Sequence, residues 1–191
     1  MTKVSIVYFS GTGNTAKFAE SIGKGAASVA GVEMNLVAIN ENDISKGRYK
    51  NDEVINALDA SDAIIFGSPT YMGGLAAQFK AFADATVGAW FQQKWRGKIA
   101  AGFTLSGTPS GDKFNTLQHL QTIAMQHGMI WVGLGEMPMQ PNGVNRIASW
   151  VGAMAQSGQG SPDIAITDED KLTGEILGKR VATFTAKNQT K

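Results

Sequence analysis

A chain of 191 residues, 43% hydrophobic and 17% charged, suits one globular domain (1–191) with its own buried core. With no cysteine and only His119 and His127 as histidines, the composition excludes disulfides, thiol catalysis, iron–sulfur clusters and Cys-ligated zinc, and no metal site is expected. The 17 basic residues against 16 acidic ones leave a net charge of +1, which argues against a strongly basic nucleic-acid surface and a strongly acidic docking surface.

The chain enters a strand at once, Val4-Ser5-Ile6-Val7-Tyr8-Phe9, so no signal peptide is expected, and no apolar run approaches the ~20 residues of a membrane span. A cytoplasmic protein without a membrane partner is the expectation. Ser10-Gly11-Thr12-Gly13-Asn14-Thr15 follows, ahead of a helical stretch through Phe18, Ile22 and Val29. N–H groups at a helix start lack internal partners and sit at the positive end of the dipole, so this turn suits a phosphate. The glycines let the backbone close round an anion, and Ser10, Thr12 and Thr15 add hydroxyls. There is no Walker lysine and no G-x-G-x-x-G, so the mononucleotide FMN fits better than a triphosphate or dinucleotide. A plain strand-to-helix turn with a capping Thr is the alternative.

Met34 to Ile39 reads as a second strand, followed by a polar stretch from Asn40 to Asn51 and a short helix from Glu53 to Leu58. Ala63 to Gly67 is the clearest central strand, and the helix beyond it presents Leu75, Phe79 and Phe82 as one stripe. Between them lies Gly67-Ser68-Pro69-Thr70-Tyr71-Met72-Gly73-Gly74, a tight turn whose backbone can approach a planar ring edge. Lys98 to Leu105 forms a fourth strand and ends in Ser106-Gly107-Thr108-Pro109-Ser110-Gly111-Asp112, whose N–H groups can face the carbonyl edge of a flavin. Either loop could also be ordinary surface turn. A helix over Lys113 to Gln126 turns Leu117, Leu120 and Ala124 inward, and Met129 to Val132 is the fifth strand. Gly135 to Thr167 is a long irregular connection, which reads as a lid, an interface element or a mobile loop. The last helix opens on Thr167-Asp168-Glu169-Asp170, a capping-box pattern, and presents Leu172, Ile176 and Phe184.

Five strands alternating with five helices resemble the flavodoxin-like doubly wound α/β fold, strand order 2-1-3-4-5 with helices on both faces. In such sheets ligands bind beyond the carboxyl ends of the strands, where the winding reverses. The loops after strands one, three and four are the richest in Gly, Ser, Thr and Pro, which points to one shared site.

The first loop, the run Ile64 to Thr70, Gln78 to Phe82, Gly88-Ala89-Trp90, the Ser106 to Asp112 loop and His127-Gly128-Met129 together resemble the WrbA-type NAD(P)H:quinone oxidoreductases over roughly Lys3 to Val132. The resemblance implies FMN contacts at Ser10, Gly11, Thr12, Gly13, Asn14 and Thr15, at Pro69, Thr70, Tyr71, Met72 and Gly73, and at Ser106, Gly107, Thr108, Pro109, Ser110, Gly111 and Asp112. It places His127 at the flavin ring as an auxiliary proton donor, and Trp90 over the substrate face, contributed by a neighbouring subunit of a homodimer or homotetramer. Thr12 replaces a frequent aromatic, and Tyr71-Met72 replaces an Arg-Phe pair, which removes a cation. The implied activity is two-electron, ping-pong transfer from NADH or NADPH through FMN to a quinone. A flavodoxin-type one-electron carrier, a flavin-binding interaction protein without turnover, and a reductase releasing free reduced flavin are the alternatives.

Overall fold

The computed structural model describes residues 1–158 and 165–189. The elements run β1 (Thr2–Tyr8), α1 (Asn14–Ala27), β2 (Val32–Ala38), β3 (Ile44–Ser45), β4 (Arg48–Tyr49), α2 (Asp52–Asp59), β5 (Ala63–Tyr71) and β6 (Gly74–Leu75). There follow α3 (Ala77–Ala85), α4 (Val87–Phe91), β7 (Ile99–Ser106), α5 (Lys113–Gln126), β8 (Ile130–Trp131), β9 (Ala153–Gln156) and a last helix, α6 (Asp168–Gln189).

The central strands are buried on both faces, as near-continuous apolar runs require in a parallel sheet covered twice. The main path is β2-β1-β5-β7-β8, with all these pairs parallel. Side chains on one face, among them Ile6, Ile65 and Phe103, pack against Phe18 and Ile22 of α1 and Leu177 and Val181 of α6. The opposite face, with Val7, Ile64 and Phe66, meets Leu58, Phe79, Phe82, Leu117 and Leu120 from α2, α3 and α5. Among the described residues no helix is long and apolar enough to cross a membrane.

Several expectations are corrected. The sheet has seven strands rather than five. The fifth position is shared: β8 pairs with Ile99 and Ala100, the chain leaves, and β9 returns beside Phe103 to Ser106. Gly133 lies where a Cβ would meet the Trp150 carbonyl at 2.5 Å, so the chain departs from the strand there against the returning segment. The Gly135 to Thr167 connection is therefore partly sheet, while the part at 159–164 lies outside the described residues. The polar stretch holds a small hairpin, Ile44–Ser45 with Arg48–Tyr49, and Leu75 belongs to β6 rather than to the helix stripe. On α6 the buried stripe is Leu177, Val181 and Ala182, one position off the predicted one, and Phe184 is exposed. Of the tryptophans other than Trp90, Trp95 is in the core and Trp150 is half exposed.

Candidate functional site

All three loops leave the same edge of the sheet because their strands are parallel. After β1, Gly13 takes a left-handed conformation (φ 90°) that swings the chain into α1, and no side chain caps from that position. Ser10 Oγ instead accepts from the Ala16 N–H at 3.1 Å, while Asn14 Nδ2 reaches Thr12 Oγ1 at 3.4 Å. Asn14 Oδ1 is buried with no partner, an acceptor that calls for a hydroxyl or N–H donor from a ligand. Thr15 is buried, whereas Gly11 and Thr12 are exposed.

The second loop is a two-residue hairpin turn. Thr70 pairs with Leu75 and Tyr71 with Gly74, and both turn residues have positive φ, 47° at Met72 and 75° at Gly73. That is the type I′ geometry that suits the twist of two antiparallel strands. Beneath it Thr70 Oγ1 joins Thr104 Oγ1 and Thr116 Oγ1, each at 2.8 Å, tying β5, β7 and α5 together inside the core. Ser68 Oγ accepts the Ala76 N–H at 3.0 Å and fixes the start of α3. Pro69 is buried in β5, and Tyr71 and Met72 are exposed.

The loops touch. A Cβ on Gly11 would stand 2.7 Å from the Tyr71 hydroxyl, so the tyrosine lies directly over the glycine of the first loop. On the other side, Asn115 Nδ2 donates to the Gly73 carbonyl at 2.6 Å, and a Cβ on Gly73 would meet Asp112 at 3.7 Å. Residues from Ser10 to Thr15, Pro69 to Gly73 and Ser106 to Asp112 thus form one continuous rim.

Within the last loop, Gly111 (φ 55°) and Asp112 (φ 53°) are left-handed, and a Cβ on Gly111 would overlap Ser106 Oγ at 2.1 Å. The loop is braced from inside by Lys113, which is fully buried although its sequence position marks only a helix start. Burial pulls its pKa down to about 8, with Asp170 opposing and Arg146 assisting. Further support comes from Gln156, whose Nε2 donates to the Gly107 carbonyl at 3.3 Å and whose N–H donates to Asp170 Oδ2 at 2.8 Å. Asp170, itself buried, takes Arg146 Nε and Nη2 at 2.8 and 2.7 Å. The sequence signal for this network was the capping box, and Thr167 Oγ1 does accept the Asp170 N–H at 3.3 Å.

His127 and Trp90 are not gathered into this rim within the chain. His127 ends α5, whose 14 residues place it about 21 Å along the helix axis from the loop end. It is buried, stacked on Trp95 at 4.3 Å, and bonded through Nε2 to Thr86 Oγ1 at 2.9 Å. The Thr86 hydroxyl gives its one hydrogen to the Ala83 carbonyl, so His127 Nε2 carries the proton and Nδ1 is a buried lone pair without a partner. Desolvation lowers its pKa to about 4, partly offset by Asp59. At neutral pH the ring is therefore neutral, and within one chain it stands at the far end of α5 from the rim. A histidine buried neutral stabilises fully above its ordinary pKa of 6.5, and that stability is lost as pH falls towards 4. Urea unfolding should show a loss of roughly 2–3 kcal/mol across this window in the wild type and a flatter profile in His127→Gln.

Trp90, 40% exposed, stacks edge-on with Phe91 at 4.8 Å and lines a depression of about 330 Å³ with Thr86, Ile123 and His127. A second depression of about 460 Å³ lies beside the rim, lined by Tyr71, Met72, Leu75, His119, Thr122 and Ile123. The histidine that flanks Tyr71 is His119. It sits on the exposed face of α5, so periodicity gave it no distinction.

The donor set fits FMN: N–H groups and hydroxyls at the start of α1 for a phosphate, a buried orphan acceptor for a polyol hydroxyl, and Tyr71 with the last loop for a ring. Residues 4–141 match the family model described as NADPH-dependent FMN reductase. Flavodoxin FldP of Pseudomonas aeruginosa (strain UCBPP-PA14) is 38% identical over 188 residues, 95% of this chain and 96% of its own. Quinone-oxidoreductase QR2 of Triphysaria versicolor is 41% identical over 143 residues, 70% of each chain. The crystal structure of a flavodoxin, WrbA-like protein from Agrobacterium tumefaciens is 39% identical and matches with a TM-score of 0.77, covering 98% of this chain and 99% of that one. A parallel sheet whose three ligand-type loops meet at one rim, with a family match over most of the chain, makes this protein a member of the NADPH-dependent FMN reductase family, with a flavodoxin-like fold.

Proposed function

We propose that the protein is an FMN-dependent oxidoreductase that takes two electrons from NADH or NADPH and delivers them to a quinone by a ping-pong route. The observation that carries this reading is the contact of the three loops, Gly11 under Tyr71 and Gly73 against Asp112. The likeness to a quinone-oxidoreductase supports the acceptor class. When bound, FMN would supply the hydride and electron chemistry; the chain binds, orients and shields. Residues Ser10 to Thr15 would hold the phosphate end, and Tyr71 with the N–H groups after β7 would align the ring. The half-exposed Tyr71 and exposed Met72 leave that rim open to solvent. In this reading Trp90 and Phe91 of a second copy cover it, in a homodimer or homotetramer.

Purified protein supplied with FMN is expected to show the absorption of bound oxidised flavin, to bleach with NADH or NADPH, and to recover its colour with benzoquinone. Steady-state double-reciprocal plots should be parallel, and sedimentation should give a dimer or tetramer. A colourless chain that refuses FMN sinks the reading. The identity to a flavodoxin over nearly the whole chain favours a second reading, a one-electron carrier. Bleaching that needs a separate reductase, with no direct NAD(P)H oxidation, would select it.

A further inference from the structure

In the loop after β7 the five successive carbonyls from Ser106 to Ser110 are all taken by donors of the chain itself. Ser157 N–H donates to the Ser106 carbonyl at 3.0 Å, Gln156 Nε2 to that of Gly107 at 3.3 Å, and Lys113 N–H to that of Ser110 at 3.1 Å. Lys113 Nζ takes the two between, Thr108 at 2.8 Å and Pro109 at 2.9 Å, and also Ser106 Oγ at 2.9 Å. Every peptide here is trans, and in a trans peptide the N–H after a carbonyl points the opposite way. With the preceding carbonyls so taken, the N–H groups of Thr108, Ser110 and Gly111 point away from those partners and are free for a ligand's acceptors. Pro109 has no N–H to spoil the set.

We propose that Lys113 is a positioning residue: its buried ammonium holds the Ser106–Asp112 loop in the one conformation that aims those N–H groups at the ligand. The proposal rests on the FMN reading above and names the side chain that organises the ring-binding loop. The stoichiometry is the argument. An ammonium has three N–H donors for the three oxygens at bonding distance, and Ser106 Oγ passes its own hydrogen to the Thr108 carbonyl at 3.0 Å; deprotonation removes one of those donors and the positive charge that the two carbonyl dipoles face. The charged groups facing it are Asp170 at the start of α6, which favours the ammonium, and Arg146 of the segment between β8 and β9, which opposes it; Asp112 beside it in the chain is exposed. Burial brings its pKa to about 8, so the ammonium holds at pH 7 and is lost as pH rises through that value.

The test is the dissociation constant for FMN, read from quenching of flavin fluorescence between pH 7 and 9.5, in the wild type and in Lys113→Met. Wild-type affinity should fall about tenfold with an inflection near pH 8, and the variant should bind about tenfold more weakly at pH 7 with no inflection. A flat wild-type profile, or a variant that binds like the wild type, overturns the proposal. Subtilisin cleavage of the flavin-free proteins gives a second readout. Cuts confined to residues 106–112 should appear in the variant, and in the wild type only at pH 9.5. If the wild type takes up no FMN at any pH, the functional reading fails by itself, and equal cleavage of both proteins would then overturn the brace.

Discussion

Gly178→Leu should lower the melting temperature by about 6–12 °C, corresponding to a loss of roughly 3 kcal/mol or more. Helices α1 and α6 cross backbone to backbone at glycines. A Cβ on Gly178 would stand 1.9 Å from the Ile22 carbonyl oxygen and 3.0 Å from the Ala26 nitrogen. Reciprocally, a Cβ on Gly25 would stand 1.8 Å from the Glu175 carbonyl oxygen. These neighbours are backbone atoms of a hydrogen-bonded helix, so they cannot rotate away as a side chain would, and the helices must separate. Separation opens the core around Phe18, Ile22, Leu177 and Val181 on that face of the sheet. Gly88→Ala is the control: it lies in α4 with nothing within 4 Å of its would-be Cβ, and it should leave the melting temperature unchanged or slightly raised. Thermal unfolding followed by circular dichroism compares the two. An unaltered transition in Gly178→Leu would show that the helices do not approach this closely.

Asp170→Asn should cost about 2–4 kcal/mol, somewhat below the penalty for breaking a fully enclosed pair because Arg146 is partly exposed. Asp170 is 1% exposed and holds Arg146 through two nitrogens while accepting the Gln156 N–H. Its removal strands a guanidinium against the segment between β8 and β9 and loosens Gln156, which supports Gly107 in the ligand loop. A double-mutant cycle in urea with Arg146→Met should return a coupling of about 2 kcal/mol. Simple additivity of the two substitutions would mean that the pair contributes nothing. This ion pair joins the inserted segment to the site, so a disturbance at Arg146 reaches the rim through Asp170 and Gln156.

The parallel arrangement and the three loops were legible because they depend on local pattern. Strands buried on both faces, such as Ala63 to Phe66, must be apolar throughout, and ligand turns must be rich in glycine and small hydroxyl residues. The capping of α6 by Thr167 was equally local. The divided fifth strand was not legible, since Ala153 to Gln156 is too short to read as a strand until Phe103 to Ser106 offers it an edge. On α6 the pattern misled because the glycines at 174 and 178 form the contact surface, and a search for large apolar residues passes over them. The surroundings of His127 were not legible either, since Trp95, Thr86 and Ala83 come from segments that no local pattern joins to it.

By itself, the sequence determined the layered α/β class, the positions of the three turns, and the absence of cysteine and of any large charge excess. Each of these follows from residue type and short-range periodicity. Tertiary structure alone decided that Gly11 lies beneath Tyr71, that Lys113 is sealed behind the last loop, and that His127 is buried against Trp95. The physical reason is that burial and partner choice depend on groups far apart in the chain. A lysine is a solvated charge or an internal brace according to what folds over it.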